Sequence, residues 1–450
     1  MNIYIEQNQP FSASIRWVFD LIAANKQVVF EYVNSAENAD FVVSKFSDSD
    51  VNLDVEFYKK IDRKDFNFNT TQVEINLNKV LNFSNTNDKT SSKTDFFAPI
   101  FHLTNCLQEY GSTSLDGHQR YQFLVSWQAK TGLITENVVQ QIINIFLENQ
   151  VKFKHLASKS RESAVFLTHD IDGLYSAWKT EGLWAAKNFR LDKLLHLLFL
   201  EAMRRPAWFN IDAILKLHSA YDVRSTFFFL TEHGWYLPQK SKNVIARHEA
   251  TEGVFHADYD VHSPKIQQLF TNIKAQKSEI GLHKSAFEDS DFPSELNKLP
   301  IDKIRSNRYH FLKFQLPEAW QTMEHAGVQL DASLGFAEQF GFRNSYGLPF
   351  SPYDFEKKRA MNLVVTPLNI MDGTMEYYMK MPVSEIASTI ISFLDNNRKD
   401  CVLSLLWHNR EFSPFRFEAY LDIYKQVLTY LHETKMPTVT ASEIVERFKV

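Results

Sequence analysis

The sequence predicts an α/β protein in two parts, a smaller α+β domain over residues 1–155 and a barrel domain over residues 160–450. The chain of 450 residues is long enough for two or three domains. From Ala164 onwards, apolar strand candidates alternate with amphipathic helices, which is typical of a parallel sheet. About seven such repeats favour a barrel or an incomplete barrel. We predict that residues 151–163 link the two parts.

The first part contains short strand-like pieces separated by turns rich in Asn, Asp and Ser. These pieces are residues 1–5, 27–33, 40–46, 51–58 and 72–77. Residues 82–93 form a polar stretch that predicts a loop. Two helix-like segments follow, Phe97–Tyr110 and Thr135–Glu148. We therefore predict a small α+β module.

The second part supplies the barrel elements in regular alternation. The strand candidates are Ala164–Thr168, Ser225–Leu230, Glu279–Leu282, Lys303–Tyr309, Val328–Asp331, Leu363–Pro367 and Cys401–Trp407. Amphipathic stretches between most of them predict helices at Ile211–Ala220, Lys265–Gln276, Pro317–Ala326, Val383–Asn396 and Phe417–Glu433. Short apolar strands of this kind are buried on both faces in a parallel sheet.

Composition limits the classes of function. The formal net charge is -5, so the chain lacks the basic footprint of a nucleic-acid-binding protein. Its longest apolar stretches, such as residues 194–200, are too short to span a membrane, and its first residues do not resemble a signal peptide. The two cysteines, Cys106 and Cys401, argue against a disulfide framework and fit a reducing compartment. We therefore expect a cytoplasmic protein.

The first barrel strand is the most informative segment, because the apolar run AVFL leads directly into THDID at residues 168–172. In α/β sheets and barrels, functional groups gather at the carboxyl ends of the strands. Asp170 and Asp172 are two residues apart, so they point the same way from an extended strand. This arrangement suits a general base beside a metal ligand. The alternative is a solvated turn or a helix cap.

Other strand candidates end in side chains of the same kind: His283, Arg308 with His310, Asp331, and His408 with Asn409. Taken singly, each has a structural alternative. The histidines also suit buried hydrogen-bonded positions, Arg308 suits a surface salt bridge, and Asp331 suits a helix cap. Five of about seven strand candidates nevertheless end in Asp, His or Arg, and these ends share one rim of a parallel sheet. This recurrence favours a functional site.

The residue types match metal-assisted hydrolysis. In this hypothesis Asp172 and His283 bind a zinc-like ion, and Asp170 takes a proton from the attacking water. His408 protonates the leaving group, and Arg308 orients Asp170. Either His169 or Asp331 would form a hydrogen bond to a histidine of the site and so fix its tautomer.

These segments resemble the polysaccharide deacetylase superfamily, carbohydrate esterase family four, over residues from about 160 to 450. The resemblance is carried by THDID at 168–172, STFFFL at 225–230, GLH at 281–283, Arg308, LDASL at 330–334 and His408. It implies a distorted (β/α)7 barrel. It also implies a divalent metal ion, which we expect to be zinc, that assists removal of N- or O-acetyl groups from sugars. It also implies that Asp170 is the base, that Asp172 is a metal ligand and that His408 belongs to the last motif.

The sequence departs from that family at the metal motif. A second histidine usually lies four residues after the first, where this chain has Phe287. Two residues after the arginine, where proline is usual, the chain has His310, which we predict as the third ligand. Asp260 or Asp331 are alternatives, as is a weak or absent metal.

The resulting hypothesis is a deacetylase of an acetylated carbohydrate. A catalytically impaired barrel that binds carbohydrate or acts as a scaffold is the alternative. A glycosidase fits less well, because Asp170 and Asp172 are too close in sequence for its two carboxylates. We expect the N-terminal module to shape the site without supplying its chemistry, with residues 96–110 buried and residues 115–121 near the domain boundary. In that stretch, His118 and Arg120 either pack against the barrel or bind an anion.

Overall fold

The computed structural model describes residues 1–46, 49–66, 94–233, 256–286, 291–302 and 304–448. Its N-terminal region contains a three-stranded parallel sheet of order β2-β1-β3, where β1 is Asn2–Ile5, β2 is Glu31–Tyr32 and β3 is Phe41–Val43. The helices of this region are Ser12–Lys26, Val55–Arg63, Phe97–Thr104, Trp127–Thr131, Val138–Asn149 and Lys154–Ala157.

The strand predicted at residues 51–58 is wrong, because Val55–Arg63 is a helix. Asp54 caps it by accepting a hydrogen bond from the Phe57 amide at 3.1 Å, and Phe57, Tyr58 and Ile61 follow with helical spacing on its buried face. The predicted strand at 72–77 and the predicted loop at 82–93 lie outside the described residues.

The barrel predicted from the sequence is confirmed. Seven parallel strands close in the order β11-β12-β4-β5-β6-β7-β8. These strands are β4 (Ala164–Ile171), β5 (Ser225–Phe229), β6 (Glu279–Lys284), β7 (Ser306–Tyr309), β8 (Leu330–Leu334), β11 (Val364–Met371) and β12 (Val402–Leu406). Most of them agree with the predicted strands to within a few residues at each end. β4 extends three residues further than predicted, through His169 and Asp170 to Ile171, and β11 extends four residues beyond Pro367.

Helices surround the barrel as expected for alternating β and α elements. They are Ala177–Lys187, Leu191–Ala202, Ile211–Ala220, Pro264–Ala275, Phe292–Asn297, Glu318–His325, Val383–Asn396, Glu418–Glu433 and Ala441–Phe448. All five helices predicted for this region are present. Among the described residues, no helix combines the length and apolarity that crossing a membrane requires.

Side chains along β4 point alternately into the barrel and towards its outer surface. Thr168 and Asp170 both reach the Arg308 guanidinium, which is buried inside the barrel. His169 points to the opposite face and packs against Phe227 and Tyr424. The period of two along an extended strand therefore places Asp170 in the barrel and His169 under the outer helices.

The N-terminal module packs on a long insertion between β8 and β11. This insertion contains a short antiparallel pair, β9 (Tyr353–Asp354) and β10 (Arg359–Ala360). Every residue of the helix Phe97–Thr104 is buried, as predicted for this segment, and Phe101 meets Tyr353 edge to face at 5.1 Å between ring centroids.

A buried ion pair joins the same two regions. Arg343 donates to Glu109 through Nε at 2.9 Å and through Nη2 at 2.6 Å, and both side chains are almost completely buried. The bidentate geometry is the strong form of this interaction and fixes the module relative to the insertion.

Candidate metal centre and acid–base pair

Three predicted metal ligands meet at the carboxyl ends of β4, β6 and β7. Asp172, His283 and His310 each offer a ligand atom, and these atoms lie within 4.8 Å of one another, the one such group of three among the described residues. The Asp172 Oδ1 atom lies 3.2 Å from His283 Nε2 and 3.8 Å from His310 Nε2. One carboxylate and two imidazoles are a donor set that zinc accepts in catalytic sites.

His283 is oriented for metal binding by the barrel backbone. Its Nδ1 atom lies 3.0 Å from the Arg308 carbonyl oxygen, which can only accept a hydrogen bond. Nδ1 therefore carries a proton, and Nε2 faces Asp172 and Asp170. Burial acts to lower the pKa of His283, but the charges of the two carboxylates outweigh it and raise that pKa. A ring nitrogen that faces two carboxylates favours a positive charge between them, which a proton or a bound metal ion supplies.

His310 provides a second test of that fit. Burial lowers its pKa to about 3, so the ring is neutral and retains a lone pair for a metal. The buried His310 Nδ1 atom has no hydrogen-bond partner within the protein. Buried polar atoms without partners are rare in folded proteins, and this one belongs to one of the three convergent donor residues.

His310 does not lie on a strand, and its position depends on the turn that follows β7. Phe311 and Leu312 both have positive φ angles, 57° and 52°, which non-glycine residues seldom adopt. The Phe311 ring stacks on His310 with centroids 3.8 Å apart. This turn therefore holds the third predicted ligand in a conformation that needs support from neighbouring structure.

The N-terminal module supplies that support. Arg120 donates to the Phe311 carbonyl oxygen at 2.9 Å and to the Tyr378 hydroxyl at 3.0 Å, while Asp116 accepts from its Nε at 2.7 Å. The His118 ring stacks on the Phe311 ring, with ring centroids 5.4 Å apart. Of the two alternatives for His118 and Arg120, the structure shows packing against the barrel.

Asp170 lies beside the donor group on the inner face of the barrel. Arg308 Nη1 donates to Asp170 Oδ1 at 3.1 Å and to Thr168 Oγ1 at 2.8 Å, and Arg308 Nε donates to the Ala332 carbonyl at 3.0 Å. These bonds fix the guanidinium beside the Asp170 carboxylate. The predicted orienting contact between Arg308 and Asp170 is thus present.

His408 approaches the donor group from β12. Its Nε2 atom lies 3.8 Å from Asp172 Oδ2, and its Nδ1 atom lies 2.7 Å from Asp372 Oδ1. Asp372 also accepts a hydrogen bond from the backbone amide of His408. Asp372 thus sets both the position and the tautomer of the ring.

The pKa values of this pair move in the directions that such a contact produces. Burial acts to lower the pKa of His408, but the charge of Asp372 outweighs it and raises the pKa above its usual value. Burial acts to raise the pKa of Asp372, but His408 outweighs it and lowers that pKa. A histidine whose protonated form is favoured in this way can deliver a proton.

Sequence reasoning missed Asp372. Its signal was present, because Asp372 directly follows the eight-residue strand β11 just as Asp172 follows β4. The predicted strand ended at Pro367, which hid the position of Asp372 at the same rim.

The two residues proposed as tautomer-fixing helpers do not have that role. His169 Nδ1 contacts the Trp407 carbonyl at 2.7 Å on the outer side of β4. Asp331 accepts hydrogen bonds from the amide and hydroxyl of Ser333 and lies outside the donor group. Asp260 accepts from the His262 amide in a turn and is not a ligand either. Phe287 lies outside the described residues.

The donor group lies at the bottom of a cleft with aromatic walls. Its lining includes Trp208, Tyr309, Tyr377 and Tyr378 together with the predicted site residues Asp170, Asp172, His283, His310 and His408. The cations Arg120 and Arg410 also reach it. Aromatic faces beside polar groups suit a ligand that is partly apolar and rich in hydroxyl groups.

Comparison with known proteins separates the two parts of the chain. Residues 1–153 match the model of a family of unknown function, DUF7033. No curated protein sequence matches the chain.

Among solved structures, the chain is similar to a protein named as a polysaccharide deacetylase of Mycobacterium smegmatis. Identity is 13%, the TM-score is 0.38, and the match covers 64% of this chain and 90% of the other. For the chitin deacetylase of the fungal pathogen Colletotrichum lindemuthianum, identity is 11%, the TM-score is 0.29 and coverage is 62% and 86%. Deacetylases are thus among the structures that this chain resembles, as its sequence predicts.

A carbohydrate esterase family four pseudoenzyme from Bacillus anthracis is also similar. Identity is 11%, the TM-score is 0.26, and the match covers 64% of this chain and 68% of the other. Enzymes and a pseudoenzyme thus both occur among the similar structures.

Proposed function

We propose that this protein is a hydrolase that uses a divalent metal ion, zinc by its donor set, to remove an acetyl group from a sugar or a polysaccharide precursor. The observation that supports this most is the convergence of Asp172, His283 and His310 between two protonation partners. One partner is Asp170, which Arg308 contacts, and the other is His408, which Asp372 contacts.

The residues divide the proton transfers between them. A bound metal ion supplies Lewis acidity towards a carbonyl oxygen and lowers the pKa of water. Asp170, held by Arg308, accepts the proton of the attacking water. His408, held by Asp372, donates a proton to the leaving nitrogen or oxygen of the sugar. Asp170 Oδ2 lies 3.7 Å from His283 Nε2, and His408 Nε2 lies 3.8 Å from Asp172 Oδ2, so a separate group adjoins the donors for attack and for departure.

The walls of the cleft support a carbohydrate as the substrate. Trp208, Tyr309, Tyr377 and Tyr378 offer ring faces for the apolar side of a sugar, and the tyrosine hydroxyls offer hydrogen bonds to its polar edge. The acetyl group would be the part that reaches the donor group at the bottom.

Metal content of the purified protein tests the first half of this proposal. We expect stoichiometric zinc by elemental analysis and loss of zinc affinity, by calorimetric titration, in Asp172→Ala and His310→Ala. The exposed residues Asp422 and His432 provide matched controls, Asp422→Ala and His432→Ala, which should bind zinc as the parent does. Unchanged affinity in both site variants would reject the assignment.

Release of acetate from N-acetylated chitooligosaccharides and O-acetylated xylooligosaccharides tests the second half. Acetate release that depends on zinc and on Asp170 supports the proposal. Zinc binding with sugar binding but without acetate release from any acetylated sugar would favour the alternative, an impaired barrel that binds carbohydrate.

A further inference from the structure

A helical hairpin next to the cleft carries a large apolar surface. Among the described residues, fifteen large hydrophobic side chains are exposed, and eight of them fall within residues 178–203. These eight define the hairpin face: Trp178, Leu183, Phe189, Leu191, Leu195, Leu198, Phe199 and Met203. Single exposed apolar residues are ordinary, but a concentration of this kind marks an interaction surface.

The second helix of the hairpin, Leu191–Ala202, shows the pattern most clearly. Leu191, Leu195, Leu198 and Phe199 follow the spacing i, i+4, i+7, i+8 and are all exposed, so they form one stripe. The opposite side buries Lys193 and Leu197. An amphipathic helix of a globular protein normally turns its apolar stripe to the core, whereas this one turns it to solvent.

The hairpin is nevertheless firmly attached, so its face is a preformed surface. Lys193 Nζ donates to the carbonyls of Pro414 and Phe415 at 3.1 and 2.8 Å. Glu181 accepts from Trp208 Nε1 at 2.6 Å and from Ser413 at 2.7 Å. These polar anchors come from the inner side of the hairpin and leave the apolar stripe outside.

The hairpin carries a net positive charge, whereas the whole chain carries a net negative charge. Among the exposed residues of 177–205, four are cations, Lys187, Arg190, Arg204 and Arg205, and one is a carboxylate, Asp192, which pairs with Arg190 at 2.8 Å. The whole chain has a formal net charge of -5. Lys187 and Arg190 flank Phe189, which is 90% exposed at the tip between the two helices.

We infer that the hairpin face docks the protein on an anionic lipid bilayer. Surface helices that bind bilayers combine Leu, Phe and Trp on one face with Lys and Arg at its borders, which is the composition of this hairpin. Lipid headgroups of negative charge complement the cations, and the acyl region accepts the stripe. A second copy of the chain fits less well, because pairing two hairpin faces would bring two cationic borders together.

The base of the hairpin ties this surface to the cleft. Asn409, next to His408, donates to the carbonyl oxygens of Gly173 and Trp208, both at 2.9 Å. These two residues lie just outside the ends of the hairpin in sequence and line the cleft. Docking would therefore place the cleft near the bilayer, where membrane-anchored glycans are found. The inference itself concerns lipid binding and stands without the proposed function.

Co-sedimentation of the full chain with vesicles tests the inference. We expect binding to phosphatidylcholine vesicles that contain phosphatidylglycerol, weaker binding to phosphatidylcholine alone, and weakening by salt. Leu195→Gln with Phe199→Gln should reduce binding by about tenfold or more, because the substitutions remove apolar side chains whose burial in the bilayer favours binding. Lys187→Gln with Arg204→Gln, two exposed cations of the hairpin, should reduce it by about 25-fold, at roughly fivefold for each cation.

Matched variants elsewhere on the surface keep the test specific. Leu124→Gln changes another exposed leucine, and Lys59→Gln with Lys425→Gln changes two other exposed lysines. These variants should bind as the parent does. Equal binding by hairpin and control variants, or no binding to anionic vesicles by any of them, would overturn the inference.

Two further measurements complete the test. Phe189→Trp should gain fluorescence quenching by brominated lipid relative to the parent, which places the hairpin tip in the bilayer. Sedimentation velocity should show that Leu195→Gln with Phe199→Gln leaves the oligomeric state unchanged. Conversion of a parent dimer into monomers by that variant would assign the face to a second copy and overturn the lipid assignment. None of these readouts requires substrate, so their failure leaves the proposed hydrolase untouched.

Discussion

The rim of the barrel and the turn after β7 hold their functional side chains by different means. Asp170, His283 and His408 lie on or directly after strands, and the barrel itself supplies their partners Arg308 and Asp372. His310 lies beyond its strand on a turn with two positive φ angles, and residues of the N-terminal module contact that turn. The difference teaches that one site draws on two sources of rigidity, the barrel sheet and the N-terminal region.

Changes at the rim should have the largest effect, because these residues handle protons. Asp170→Asn and His408→Ala should each lower the rate of acetate release by about 10²–10⁴-fold with little change in zinc affinity. Steady-state kinetics on the acetylated oligosaccharide that proves to be the substrate checks this, with Asp422→Asn as the control. A loss below tenfold for either variant would remove that residue from the proton transfers.

The contact between the two regions should depend on the buried pair Arg343–Glu109. Arg343→Ala leaves the Glu109 carboxylate buried without its partner, which should lower the free energy of unfolding by about 3–5 kcal/mol. The exposed pair Lys358–Asp62 joins the same regions, yet Lys358→Ala should cost at most about 1 kcal/mol. Urea unfolding of both variants checks the contrast, and equal losses would contradict it.

A buried histidine in the module should make stability depend on pH. Burial lowers the pKa of His102 to about 4, below its unfolded value of 6.5. Between those values the unfolded chain binds the extra proton, so this histidine costs stability as pH falls from about 6.5 towards 4. His102→Gln should reduce that loss by about 1.4 kcal/mol for each pH unit.

Unfolding free energies of the parent and His102→Gln from pH 7 to 4.5 provide the measurement. The exposed His432→Gln is the control and should follow the parent. Parallel curves for the parent and His102→Gln would show that His102 does not titrate as the structure implies.

The smallest effect should come from Arg120, which supports the turn without touching the donor group. Arg120→Ala removes the hydrogen bond to the Phe311 carbonyl, and we expect about 10–100-fold weaker zinc binding, as for other residues that orient metal ligands. Arg120→Lys should recover part of this affinity, since a lysine retains the charge but not the forked geometry.

Calorimetric titration with zinc separates positioning from general stability. Arg16→Ala, an exposed arginine of the module away from the cleft, should keep both the affinity and the melting temperature of the parent. If Arg120→Ala bound zinc as tightly as the parent, the sheet alone would position His310 and the comparison between the two regions would fail.

The sequence predicts the residues of the site best where they lie on or directly after strands. Asp170, Asp172, His283, Arg308 and His408 were readable because each follows an apolar strand, and parallel strands bring their carboxyl ends to one rim. The predicted strand β11 ends at Pro367, so Asp372 is not placed at the rim. The helper role predicted for His169 is wrong because neighbouring residues of a strand point to opposite faces. Residues 51–58 were misread because short apolar runs do not distinguish strand from helix until a cap is recognised.

The sequence by itself determined the alternation of strands and helices after Ala164, a barrel or incomplete barrel of about seven strands, and most of the side chains that gather at its rim. Those features depend on local periodicity and on the geometry of parallel sheets, which short segments encode. Only the tertiary structure decided that Asp372 holds His408, that Arg120 reaches the turn of His310 and that the hairpin turns its leucines outwards. Each of these depends on contacts between residues far apart in the chain, and no local pattern specifies which distant surface a side chain will meet.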